Sequence, residues 1–297
     1  MQQVRYIDAL QGFQQAGIVP GDTVLIQSAL RPFGYVEDGG KTIARALCEA
    51  VGSEAGTMVA PAFCFVHEIE DVPVIDPKND PSEMGAISEA VRRLPGAKRS
   101  IAYRHSFSAI GKSAELLTEV DPYLPVFDMR SIFGRMLALD TKVVLAGVTY
   151  VNSTSHHFGE YLLQVPDRHT IEQRVKLRLE DGTVEDRIMT DYQPKPTLSG
   201  DYYEHPHDFN KLGLWLEQAG KVKITTIGNA VLRVFHMRDL IDSILYRYPL
   251  DPWIFCQDEE LVVLPDGKEA YRDYVDGAGR EDTAIWACVD PEKICKR

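Results

Sequence analysis

Three short apolar runs constrain the fold more than any other feature of the sequence: TVLIQ at 23–27, GTMVAPAF at 56–63 and KVVLAGV at 142–148. The first is a β-branched strand that follows a Pro20-Gly21-Asp22 turn. The other two are apolar without polar alternation, the pattern of strands buried on both faces. SFSAIG at 106–111 reads as a further short strand. Helical segments lie between them. KTIARALCEAVG spaces Ile43, Leu47 and Val51 by four, and MGAISEAVRRLPGAKRS is amphipathic until Pro95-Gly96. The N-terminus places Ile7, Leu10 and Phe13 on one helical face before a stop at Gly17. Strands alternating with helices over the first 165 residues predict an α/β fold with a largely parallel central sheet.

The second half has a different pattern. RVKLRLEDGTVEDRIM predicts an antiparallel hairpin insertion at about 172–190: Val175, Leu177 and Leu179 alternate with charged residues, and Asp181-Gly182 supplies the turn. DFNKLGLWLEQAG reads as a helix, KVKITTIG as a strand, and AVLRVFHMRDLIDSILYR as one long amphipathic helix. No repeat or obvious linker interrupts the chain, so one domain over 1–297 is the economical expectation, and 297 residues can bury a sizeable core. A net charge of -12, from 44 acidic and 32 basic residues, argues against nucleic acid as a partner. Five cysteines form no CxxC pair, nothing resembles a secretory signal, and no apolar run approaches the roughly 20 residues that span a bilayer. A cytoplasmic protein with reduced thiols and no membrane partner is expected.

Two stretches offer chemistry. In SHHFGEYLLQVP, at 155–166, a helix starting near Ser155 would set His157 and Glu160 on one face, just past the strand KVVLAGV. Ligands of open α/β sheets bind at such strand ends, and an imidazole there can serve as a general base. The competing reading makes one histidine a cap and the other half-buried. QSALRPFGY, at 27–35, puts small residues and a glycine at another strand end, where backbone N–H groups can form an anion nest, although neither the P-loop nor the Rossmann spacing is present. His156, His157, Glu160, His205 and His207 contain enough ligands for zinc, but HHxxE is not HExxH, and no metal is expected. The stretch from Arg99 to Leu116 adds Ser106, Ser108 and Lys112 without a diagnostic spacing.

Taken in order, the chain resembles the aminoglycoside 3-N-acetyltransferase family, also called the antibiotic N-acetyltransferase superfamily. The matching stretches are GIVPGDTVLIQSALRPFGYVEDGGKTIARAL, GTMVAPAF, DPKNDPSEMGAISEAVRRLPGAKRS, HSFSAIGKSAELL, KVVLAGVTYVNSTSHHFGEY, DFNKLGLWLEQAG and IGNAVLRVFHMRDLID, collinear from Gly17 to Asp242. The resemblance implies a three-layer α/β/α fold distinct from the GNAT acetyltransferases. It also implies transfer of an acyl group from acyl-coenzyme A, acetyl-CoA above all, to an amine of an amino sugar.

The family's NTxxHxxE motif falls on Ser153, Thr154, His157 and Glu160, which makes His157 the implied base. The loop Ser28, Ala29, Leu30, Arg31, Phe33 and Gly34 resembles the one that receives the coenzyme A pyrophosphate, with Ser106, Phe107 and Thr154 toward the thioester. The carboxylate that pairs with the base would come from Asp191, Asp201 or Glu204, with Glu204 favoured, while Glu160 orients the site or anchors its helix. Two departures bear on the acyl pocket and acceptor: Ala102-Tyr103 replaces a usual His-Pro, and Gln27 replaces a common histidine. The expected partner is a small-molecule amine, and a homodimer is compatible with it. An aminoglycoside acceptor, a nucleotide-linked amino sugar in biosynthesis, a non-catalytic coenzyme A or sugar binder, and a zinc hydrolase are the readings to separate.

Overall fold

The computed structural model describes residues 3–65, 72–195, 208–251 and 254–255. The chain opens with β1 (Gln3–Val4), α1 (Tyr6–Gln15), β2 (Thr23–Ser28), β3 (Tyr35–Val36), α2 (Gly40–Val51) and β4 (Thr57–Pro61). It continues through β5 (Val74–Ile75), α3 (Ala86–Arg92), β6 (Lys98–Arg99), β7 (Phe107–Gly111), α4 (Ala114–Thr118), α5 (Ile132–Ala138) and β8 (Lys142–Ala146). Then follow α6 (Ser155–Leu163), the hairpin β9 (Arg168–Arg178) and β10 (Val184–Pro194), α7 (Asn210–Gln218), β11 (Lys223–Ile227), β12 (Ala230–His236) and α8 (Met237–Arg247). Among the described residues no helix is long and apolar enough to cross a membrane.

Seven strands form the main sheet in the order β11-β12-β8-β2-β4-β7-β6. Only β8, β2 and β4 run parallel to one another. Every other pairing is antiparallel, so the sheet is mixed rather than largely parallel. The reason is local. β11 and β12 are joined by the two-residue turn Gly228-Asn229, with Ile227 paired to Ala230, and so tight a connection permits only antiparallel pairing. Alternation of helices and strands in sequence does not reveal such hairpins.

AVLRVFHMRDLIDSILYR is likewise not one helix. Ala230–His236 is the strand β12, and the helix begins at Met237. Ala230, Leu232 and Val234 point into one core cluster while Phe235 points into the other, a period of two that the spacing of Leu232 and Phe235 disguises as a helical stripe.

The three parallel strands divide their side chains between two helical layers. Val24, Ile26, Met58, Ala60, Val144 and Ala146 pack with Leu10 and Phe13 of α1, Ile43 and Leu47 of α2, and Ile87 of α3. Leu25, Val59, Val143 and Leu145 pack with Phe133, Phe158, Leu212 and Leu240 from the opposite helices. Ile7, one turn before Leu10, is 44% exposed and belongs to the solvent side of α1. The hairpin is longer than its sequence pattern suggested and carries a small core of its own, in which Val175, Leu177 and Met189 close over Ile75 and Tyr103.

One polar network lies deep on the side that bears α7. Tyr150 donates a 2.8 Å hydrogen bond to Glu217 of α7, and the fully buried Arg233 of β12 reaches the same carboxylate oxygen at 3.0 Å. Gly213, one turn before Glu217, lets the Tyr150 ring lie against the helix, since a Cβ there would be 2.0 Å from a ring carbon. Gly213→Ala is therefore expected to destabilise the protein by about 2 kcal/mol, roughly 3 of overpacking less about 1 of helix propensity. Urea unfolding checks this; a variant as stable as the parent would contradict the close packing.

Candidate active site

The site forms where β8 ends. Gly147 takes a left-handed conformation (φ 68°), and a Cβ there would come within 3.0 Å of the Ala29 carbonyl and of Pro32, so the chain can turn here only as glycine. A short 3-10 turn, Tyr150–Asn152, follows, and α6 begins at Ser155 as its polar lead-in suggested. Hydrogen bonds from the His156 and His157 amides to the carbonyls of Ser153 and Thr154 wind the first turn. α6 then lies close on α8, because Gly159 leaves room for Ile244, whose side chain a Cβ would meet at 2.6 Å.

His157 and Glu160 meet directly: His157 Nδ1 is 2.5 Å from Glu160 Oε2. The Glu160 side chain is 1% exposed, the His157 ring 23%. A buried carboxylate needs compensation, and a guanidinium supplies it. Arg168, the first residue of β9 and itself 4% exposed, places Nε 3.0 Å from the same Glu160 oxygen. The Arg168 guanidinium also lies over the Tyr192 ring, 5.6 Å from its centroid. Phe209 meets the His157 ring edge-on at 5.0 Å, and Phe127 closes another side at 6.3 Å.

The neighbouring His156 has another character. It is fully buried, stacks on Phe209 at 4.6 Å and 10°, and directs Nδ1 to the Ser153 carbonyl at 3.0 Å. Burial drives its pKa down to about 3, so it is a neutral packing group at physiological pH. The two histidines of one dipeptide thus divide into a core residue and a site residue.

Gln27, at the end of β2, is buried and donates from Nε2 to Thr154 Oγ1 (2.9 Å) and to the Asn152 carbonyl (2.7 Å). It therefore braces the turn that carries His157, and it uses the Thr154 hydroxyl as acceptor, so the hydroxyl hydrogen remains available as a donor. The loop after β2 is partly self-satisfied. The Ala29 amide bonds to Ala146, Phe33 and Gly34 close the 3-10 turn Arg31–Phe33, and the Phe33 ring is in the core. Leu30 packs toward Gly39 at the uncapped start of α2, and Ser28 Oγ is buried with no hydrogen-bond partner among the described residues.

Three of the expected residues have close partners elsewhere in the structure. Ser106 is committed to the scaffold: its hydroxyl donates to the Ala62 carbonyl at 2.8 Å and accepts from Arg99, which reaches the carbonyls of Ala62, Pro77 and Asp80 as well. Phe107 is a core residue between Phe63 and Phe133, and Ser100 occupies both its backbone N–H and its C=O. Both residues thus have partners of their own within the scaffold.

Asp191 does not serve His157 either. It lies 3.3 Å from His105 Nδ1 and 3.3 Å from Arg104 Nε, and although burial opposes its ionisation, these partners hold its carboxyl well below the usual range. Asp201 and Glu204, with His205 and His207, lie outside the described residues. Sequence reading missed Arg168: it stands beyond the left-handed helix stop at Gln164, where no helical spacing links it to Glu160.

Residues 25–247 match the family model described as aminoglycoside 3-N-acetyltransferase. Aminoglycoside N(3)-acetyltransferase IV of Salmonella sp is 29% identical over 249 residues, covering 82% of this chain and 87% of that protein. Among solved structures, a histidine-to-alanine mutant of aminoglycoside acetyltransferase AAC(3)-IVa in complex with apramycin is 26% identical. It superposes with a TM-score of 0.69 over 86% of this chain and 96% of that one. AAC-IIIb, as a binary complex with CoASH, shares the fold at a TM-score of 0.72 and 21% identity, over 87% of this chain and all of its own. The match runs from the middle of β2 to the end of α8 and takes in the strand-end loop, the His157–Glu160 helix and the hairpin. The chain is an N-acetyltransferase and belongs to the aminoglycoside 3-N-acetyltransferase family.

Proposed function

We propose that this enzyme transfers an acetyl group from acetyl-coenzyme A to an amino group of an aminoglycoside or closely similar amino sugar, with His157 as general base. The observation that carries the proposal is the 2.5 Å contact between His157 Nδ1 and the buried Glu160. Nδ1–H donates to the carboxylate, which fixes the tautomer, so Nε2 carries the lone pair that takes a proton from the acceptor's ammonium group. Glu160 then stabilises the imidazolium. The partner of the base in this reading is Glu160, three residues away on the same helix, rather than Glu204.

Acetyl-coenzyme A supplies a thioester, an acyl group already activated toward amines. The residues suited to hold it are those of the strand-end loop: the buried Ser28 hydroxyl offers an unused donor, and the first turn of α2, whose N-cap Gly39 has no side chain to satisfy it, presents backbone N–H groups to phosphate. The Thr154 hydroxyl, held as an acceptor by Gln27, directs its own hydrogen to negative charge developing near His157. The net charge of -12 favours the approach of a polycationic acceptor. Tyr103, which departs from the family pattern, is buried against the hairpin core, so its presence argues for hairpin packing and not for a changed acceptor.

Release of free thiol from acetyl-coenzyme A, screened against aminoglycosides, nucleotide-linked amino sugars and simple amines, tests the proposal. Turnover with an aminoglycoside is expected, and His157→Ala should lower kcat by about 100- to 10,000-fold, the usual worth of a general base. Binding of coenzyme A without turnover on any amine would reduce the protein to a ligand carrier and defeat the proposal.

The two histidines also predict a pH dependence. His156 binds no proton in the folded state until about pH 3, whereas an unfolded histidine binds one near 6.5. Its contribution to stability is therefore whole above pH 6.5 and is lost as pH falls toward 3, at about 1.4 kcal/mol per pH unit. In denaturant titrations His156→Phe should show a shallower loss of stability across that window; an unchanged slope would mean that His156 is not held neutral by burial.

A further inference from the structure

We propose that Arg168 is the positioning residue that holds the His157–Glu160 pair in its proton-accepting state. The proposal rests on His157 being the base and assigns to the hairpin, through its first residue, control over that base.

Arg168 is fixed on several sides. Its Nε lies 3.0 Å from Glu160 Oε2, the oxygen that also faces His157. Its guanidinium sits over the Tyr192 ring, and Nη1 donates to the Tyr192 carbonyl at 3.4 Å. Arg168 and Tyr192 stand at the base of the hairpin, where Arg168 is paired in register with Pro194. One carboxylate oxygen is thus held between an imidazole nitrogen and a guanidinium. The Arg168 guanidinium supplies the positive charge that Glu160 requires before His157 takes a proton. With the charge of Glu160 already balanced, adding a proton to the pair gains less, and the imidazole stays unprotonated and ready at neutral pH.

Among the described residues, the other charged and titratable groups packed around the pair are few. Tyr192 on β10 is kept protonated by burial and by the Glu160 charge. Asp191 beside it is occupied by His105 and Arg104. On α6 itself stand the neutral His156 and Tyr161, whose phenol is pushed up by burial and by Asp128. Asp167 precedes Arg168, and Asp208, ahead of α7, accepts from the Asn210 amide. None of these puts a fixed positive charge on the Glu160 oxygen that His157 faces; Arg168 does.

The test uses the full chain with labelled histidine, the His157 ring signals being identified by their loss in His157→Gln. The midpoint of their pH-dependent change is followed by NMR in the parent, in Arg168→Met and in Arg168→Lys. Removal of a neighbouring positive charge should raise the midpoint by about one pH unit or more in Arg168→Met. Arg168→Lys, which keeps the charge but not the planar fork, should bring it back toward the parent. On the acid limb kcat/KM should fall about tenfold for each pH unit by which the midpoint rises, and recover at alkaline pH.

A purely structural role would lower the melting temperature and leave the midpoint in place, and that result would overturn the proposal. If Arg168→Met does not fold, Arg168→Gln, which is polar but carries no charge, must show the same upward movement. His157→Ala in the thiol-release assay separates the two levels: an inactive His157→Ala with an unmoved midpoint in Arg168→Met rejects the role of Arg168 alone. A fully active His157→Ala rejects the base and the inference built on it.

Discussion

A carboxylate withdrawn from water must find positive charge, and the site of this enzyme is arranged around one that does. Glu160 is almost wholly buried, and the same oxygen of its side chain meets His157 on α6 and Arg168 on β9. Two of the molecule's larger elements are tied together at that atom. The turn after β8 sets where α6 starts, and the start of α6 sets the phase in which His157 and Glu160 share a face. The hairpin must then return at the height of Glu160, because the buried carboxylate would otherwise lose the guanidinium that balances it.

The turn that carries His157 is braced from below by two further polar contacts. Gln27 holds Thr154 and Asn152 from the end of β2, and Tyr150 is held by Glu217 and Arg233 from α7 and β12. Strands on either side of β8 therefore both contribute a side chain to one loop. In the proposed reaction such rigidity serves the base, because misplacement by an ångström is costly in rate. The braces come from residues far from the turn in sequence, which is why they are held by the sheet rather than by any local motif.

Much of this was legible in the sequence, and the misses share a cause. Strand and helix positions at β2, β4, β8, α2 and α6 follow from local periodicity, and the His157–Glu160 spacing announces itself once a helix is expected at Ser155. What local periodicity cannot carry is orientation. The antiparallel pairings of β7 and β12 depend on how the chain turns between elements, and β12 passes for helix because an apolar strand buried on both faces matches either period. The resemblance set Ser106 and Phe107 toward the thioester, but spacing could not show that Arg99 and Ala62 engage the Ser106 hydroxyl or that Phe107 packs between Phe63 and Phe133. Arg168 gave no sequence signal, since its partner is chosen by the fold and not by spacing.

The hairpin has one further consequence. Its strands are eleven residues each, so about 35 Å of ribbon separates the base, where Arg168 and Tyr192 reach the site, from the Asp181-Gly182 tip. The contact with Glu160 is anchored at one end and the other end meets solvent. Such a ribbon can tolerate changes at its tip without disturbing the contacts at its base, provided its first and last few residues are kept. A change of length or charge at the Asp181-Gly182 tip would therefore leave the contacts between Arg168, Glu160 and His157 in place.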